Sequence, residues 1–136
     1  MTSEEIFKIL KDNIHKTTCR RRNYVSAIVD KENNILGMGW THSLDKKKCT
    51  TCIRESLNVL HGERYELCQS VHAEQAALIN LAFNGHNLNK AYAIYLYGID
   101  DKGRELDDIR PCLICEKLIK EAEIEFLITP KGKCYV

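Results

Sequence analysis

The chain has 136 residues, 44% hydrophobic and 29% charged, which suits one soluble domain with a single core. Its 20 basic and 19 acidic side chains leave a formal charge of +1, which argues against broad electrostatic binding to nucleic acid, tRNA included. No apolar run approaches the ~20 residues of a bilayer span, and the charged start MTSEEIFKILKDN is no signal peptide, so a cytoplasmic protein is expected.

Thr2 and Glu5 form a capping-box pattern, and Ile6, Ile9, Leu10 and Ile14 recur at helical spacing, which predicts a helix over 3–16. YVSAIVD at 24–30 and NILGMGW at 34–40 read as strands, joined by the turn KENN into a hairpin. Residues 41–69 are rich in Lys, Cys and Thr without strong periodicity. They read as a long irregular segment, with a short helix near 53–60, that must be functional or pinned. Ser70 can cap a helix over 71–83, which stops at Asn84-Gly85. AYAIYLYGI at 91–99 is a strand, and DDKGRELDD a polar loop. Pro111 can begin a helix that runs from Cys112 to about Ala122, and EFLIT at 125–129 is a further strand. The helix–strand alternation from residue 70 onward predicts crossovers, parallel strands and helices packed on a sheet. No repeat, low-complexity tract or linker divides residues 1–136, so a single domain is expected.

Seven cysteines in a reducing compartment read better as metal ligands or buried thiols than as disulfides. Cys112 and Cys115 share one face at a helix start, where exposed N–H groups favour thiolate; together they make half a zinc site. His72 opens another helix and can supply a third ligand. The fourth position is then left to water, the mark of a catalytic zinc, which lowers the pKa of that water toward ~7. Glu74 can face the same cavity and move protons between water and substrate. Alone, an H-x-E is a helix start and a C-x-x-C a redox pair or a ribbon half-site. Two such openings, each preceding a strand, carry the metal reading.

His72-Ala73-Glu74 followed by Pro111-Cys112-Leu113-Ile114-Cys115 resembles the H-x-E…P-C-x-x-C signature of the zinc cytidine and deoxycytidylate deaminases. TTCRRRNY, GERYELCQSVHAEQAAL and PCLICEKLIKEAEIEFLI are similar, segment by segment, to bacterial deoxycytidylate deaminases, so the likeness covers roughly residues 5–130. The resemblance implies a three-layer α/β/α sandwich on a mixed sheet of about five strands. It also implies a homo-oligomer, metal ligands His72, Cys112 and Cys115, and Glu74 as proton shuttle in the hydrolytic deamination of a cytosine nucleotide, deoxycytidylate first. Cytidine, a nucleobase, a modified cytidylate or tRNA adenosine stay open as substrates, and so does a non-catalytic, zinc-stabilised role. Some relatives carry a second, structural zinc; here Cys19, Cys49, Cys52 and Cys68 are its candidate ligands, with His42 or His61 as substitutes. Cys134 is a bystander.

The chain departs from its relatives around the expected pocket. Val25-Ser26 stands where they have Gly-Ala. Gly39-Trp40-Thr41-His42 replaces the Gly-Tyr-Asn-Gly or Gly-Tyr-Thr-Gly that grips sugar and phosphate, and Ala76 replaces an Asn. Val25, Trp40, Thr41 and Ala73 are therefore expected to line the pocket, and Ala76 to line or back it. Arg21, Arg22 and the run Lys46-Lys47-Lys48 are candidate phosphate contacts, the lysines reading better as a solvated face.

Overall fold

The computed structural model describes residues 1–19, 21–44, 53–58, 60 and 70–136. Helix α1 spans Ser3–Asp12, with Thr2 and Glu5 completing the expected capping box. It ends earlier than its apolar spacing predicts. The Asn13 side-chain amide donates to the Ile9 carbonyl at 2.8 Å, in competition with the next turn, and Ile14–Lys16 tightens into a 3-10 turn. Strands β1 (Asn23–Val29) and β2 (Ile35–Trp40) form the expected hairpin, with Asn33 at φ 60° in its turn.

Among the described residues after β2, the short helix expected near 53–60 is present, and a strand pairing is added that the composition does not predict. His42–Ser43 (β3) pairs antiparallel with Ser70–Val71 (β4), and Ile53–Ser56 forms a short helix, α2. Because Ser70 sits in β4, it does not cap the next helix. That helix, α3 (Ala73–Phe83), takes His72 as its cap, and the Gln75 side chain reaches back to the His72 N–H at 2.9 Å. Strand β5 is Ala93–Ile99, α4 is Leu113–Glu121 with Cys112 as cap, and β6 is Phe126–Thr129. Strand β7 (Gly132–Tyr135) is fully exposed and was hidden in the sequence, because GKCY shows no apolar alternation.

Among the described residues, five strands form one mixed sheet in the order β2-β1-β5-β6-β7. β5 and β6 run parallel, as the alternation of helix and strand predicts, and the other pairs are antiparallel. Val25, Ala27 and Val29 of β1 pack with Ile6 and Leu10 of α1 on one face. Ile28 packs on the other face with Ala77 and Leu81 of α3 and Ile119 of α4, so the layers are helix, sheet and paired helices. The α3 layer lies directly on the β2 backbone. A methyl group on Gly37 would stand 2.6 Å from the Ala77 carbonyl oxygen, and one on Gly39 would collide with the Ala77 nitrogen and the Ala73 oxygen. Among the described residues, no helix is long and apolar enough to cross a membrane.

Candidate metal centre

Both ligand-bearing stretches arrive as helix caps. His72 precedes α3 and Cys112 precedes α4, and each helix leads by a crossover into one of the parallel strands β5 and β6. The two helices therefore start at the same end of the sheet. Nδ1 of His72 lies 3.2 Å from Sγ of Cys115 and 3.4 Å from Sγ of Cys112. All three donor atoms fall within 4.8 Å of one another. Tetrahedral zinc with ordinary Zn–N and Zn–S bonds separates such atoms by roughly 3.5 Å, so one imidazole and two thiols fit the ion and leave a coordination position open.

Charge is already distributed as such a site requires. Cys112, hydrogen-bonded by Cys115 and facing His72, is lowered to about 4 despite partial burial, which makes it a thiolate at neutral pH. Cys115 keeps its proton, pushed up first by its bond to Cys112, then by burial and by Glu74. Glu74 is 5% exposed, one residue into α3 from Ala73. Burial raises its carboxyl above the usual range, while a backbone hydrogen bond, the His72 charge and a bond with Cys115 oppose that. A buried carboxyl in contact with a ligand thiol can hold or release a proton near the open position.

The remaining expected site residues divide by sheet face. Ala73 is buried in the first turn of α3, and its carbonyl accepts a 2.8 Å bond from the Ser26 hydroxyl in β1. Arg22 is half-buried and hydrogen-bonds the Tyr24 phenol, and Arg21 is half-buried beside it. Val25 belongs instead to the opposite layer, fully buried with α1, so its expected contact with substrate is corrected: β1 alternation turns it away from α3. Trp40, paired in register with Val25, is corrected for the same reason and packs beneath the Lys16 ammonium at 4.7 Å. Thr41 does not offer a free hydroxyl either. It is 5% exposed and its Oγ1 accepts the Tyr24 N–H at 3.1 Å. Ala76 faces the backbone at Gly39.

Cys19 is half-buried and free, with its N–H bonded to Asn23 Oδ1 at 2.9 Å. Cys49, Cys52, Cys68, His61 and the Lys46–Lys48 run lie outside the described residues. His42 turns its Nδ1 to the Ser43 carbonyl at 2.9 Å, and Cys134 is exposed on β7. Tyr24, on the α3–α4 face, is marked by no motif in the sequence. Its alternation with Val25 is the signal that marks it, once the face of one of them is known.

Residues 1–130 match the family model of the cytidine and deoxycytidylate deaminase zinc-binding region. No curated protein matches the chain. Among solved structures, a cytidine deaminase from Burkholderia pseudomallei is similar with a TM-score of 0.62 at 16% identity, over 100% of this chain and 92% of that one. A point mutant of cytidine deaminase from Mycobacterium tuberculosis gives a TM-score of 0.51, also at 16% identity, over 95% of this chain and 89% of that one. At that identity the likeness bears on the fold, an α/β arrangement around a mixed sheet.

Proposed function

The chain belongs to the cytidine and deoxycytidylate deaminase zinc-binding family, and on that premise we propose that it hydrolyses the amino group from a cytosine nucleotide, deoxycytidylate first. The observation that carries this reading is the buried Glu74 carboxyl, held against a thiol of a three-ligand centre by the first turn of α3.

His72, Cys112 and Cys115 would hold the zinc. When bound, the ion supplies Lewis-acid activation of water, lowering its pKa toward ~7. Glu74 takes a proton from water as its oxygen bonds to C4 of the ring, and delivers that proton to the neighbouring ring nitrogen. Glu74 then carries the proton of the new C4 hydroxyl to the amine, and as the C4–N bond breaks the ring carbonyl forms and ammonia leaves. Burial serves this cycle, because a carboxyl raised above its ordinary range returns protons at neutral pH more readily than an exposed one.

Unphosphorylated cytidine or cytosine is the second reading. It is favoured by the orientation of Trp40, which packs on the α1 side, and by Thr41, whose hydroxyl is engaged by Tyr24, so that Arg21 and Arg22 are left as the phosphate candidates among the described residues. Ammonia release measured on cytosine, cytidine, deoxycytidine, cytidylate and deoxycytidylate tests the choice, with the highest kcat/KM expected on deoxycytidylate. Turnover of unphosphorylated substrates alone overturns the nucleotide claim. Silence on all of them, with zinc fully loaded, makes the chain a non-catalytic member.

The same reading takes residues 1–136 as one cytoplasmic domain that assembles with copies of itself. Supporting assembly, Ile79 and Phe83 of α3 are 60% and 84% exposed, and Leu113, Ile114 and Leu118 of α4 are exposed as well. A second, structural zinc on Cys19, Cys49, Cys52 and Cys68 is part of the proposal, because it gives residues 41–69 a folding contribution that their composition does not.

A further inference from the structure

Tyr24 is a polar-ended residue of the α3–α4 face that the deaminase reading does not use. It lies on β1 one position from Val25, so the pleat turns its ring toward α3 and α4, where it packs against their apolar cluster. Its neighbour across the sheet is Gly98, and the fit there is tight: a methyl group on Gly98 would stand 2.6 Å from Tyr24 Cε1. Leu106 adds a further wall at 3.1 Å from that same point, so the ring is clamped between β5 and the loop after it. At the backbone, the Tyr24 N–H is tied to Thr41 Oγ1 at 3.1 Å. The ring is therefore fixed in position.

Ser26, the next residue on the same face of β1, bonds the Ala73 carbonyl at 2.8 Å, which puts Tyr24 on the side of the sheet where α3 begins. The Arg22 guanidinium donates to the phenolic oxygen, and the phenol is close enough to Glu74 and Cys112 to feel their charges. Burial first, and those two negative neighbours, keep the phenol protonated well above neutral pH against the pull of Arg22. An oxygen that already accepts from a guanidinium still has a hydrogen to give. Among the described residues Arg22 is its hydrogen-bond partner, and it is a donor.

Resting on the deaminase reading, we propose that Tyr24 is a specificity-determining residue that donates its phenolic hydrogen to an oxygen acceptor of the substrate, with Arg22 fixing the direction of that bond. A fixed neutral donor beside the metal suits a carbonyl, hydroxyl or phosphate oxygen. It rejects a group that itself offers only hydrogens, because a buried donor left unpaired there loses binding.

Tyr24→Phe keeps the ring, the clamp and the fold while removing the donor. In the zinc-loaded protein, on whichever pyrimidine the wild type turns over best, KM should rise about threefold to tenfold with kcat little changed. Calorimetry with the uracil product of that substrate should show a matching loss of affinity, at an unchanged melting temperature. The effect reads the acceptor: equal losses on nucleoside and nucleotide place it on the base or sugar, and a loss confined to the nucleotide places it on phosphate. If the wild type deaminates and Tyr24→Phe keeps both KM and product affinity, the donor role fails and the deaminase reading stands. If the zinc-loaded wild type neither deaminates nor binds any pyrimidine, the deaminase reading fails and this assignment with it.

Discussion

The His72 imidazole and the Cys115 thiol approach to 3.2 Å although 43 residues separate them in the chain. The topology of β5 and β6 brings them together, since each strand follows a crossover helix and both helices begin at one end of the sheet. Loaded protein should carry two zinc ions per chain by the reading above. His72→Ala should remove one of them and all turnover, and Cys49→Ala the other. Elemental analysis of the purified variants reads this directly; one zinc per chain, unaffected by Cys49→Ala, removes the structural site. Because Cys112 is already thiolate and Cys115 is not, loading the catalytic site at neutral pH should release about one proton from this thiol pair, measured by calorimetry of a Cys49→Ala chain in buffers of different ionisation enthalpy.

Glu74→Gln should retain zinc and lose at least ~10²–10⁴ in kcat, since proton transfer has no other buried carboxyl to run through among the described residues. The substitution should also stabilise the metal-free protein at pH 8. Burial raises the folded pKa of Glu74, so its favourable contribution exists below the ordinary carboxyl pKa and is lost as pH rises through the folded value. Glutamine escapes that loss. Urea titration in the presence of a chelator should show the variant more stable at pH 8, with the gap shrinking as pH falls toward 4; a wild type more stable at both values contradicts the burial argument.

Gly39→Ala tests the contact between β2 and the first turn of α3. The added methyl meets backbone atoms of Ala73 and Ala77, which cannot swing aside as a flexible side chain would. Destabilisation of about 1–3 kcal/mol is expected, together with weakened zinc binding, since His72 moves with that turn. Thermal melts and zinc affinity should change together. A melt shift with unaltered metal affinity separates the contact from the ligand position.

Phe83→Glu should disperse the assembly if copies meet through the outer face of α3. Phe83 is 84% exposed and Ile79, one turn earlier, 60%. Sedimentation velocity should show a larger species for the wild type and a monomer for the variant. A wild type that sediments as a monomer at every concentration removes the oligomer proposal.

The features that local chemistry encodes were legible in the sequence. The capping box at Thr2, the β1–β2 hairpin, the helices after His72 and Cys112 and the three-ligand cluster all rest on residues a few positions apart, plus one crossover rule. The pocket wall was not, because in a strand a one-residue choice of face moves every side chain to the other layer. Val25 and Trp40, expected at the pocket, lie on the α1 side, and the same alternation brings Tyr24 to the α3–α4 face. β3 and β4 are two-residue strands whose pairing joins positions on either side of a long segment, which no local pattern announces.

The seating of α3 on Gly37 and Gly39 has a consequence for how such a protein can change over time. Backbone touching backbone leaves the helix that carries His72 and Glu74 almost no latitude, whereas Tyr24, Arg22 and Leu106 stand on β1, its leading segment and the loop after β5, apart from that seat. Replacements among the latter can reshape what enters the cavity without shifting the ion or the carboxylate. The fold thus separates a helix locked by backbone contact from a wall of side chains that can be exchanged without moving it.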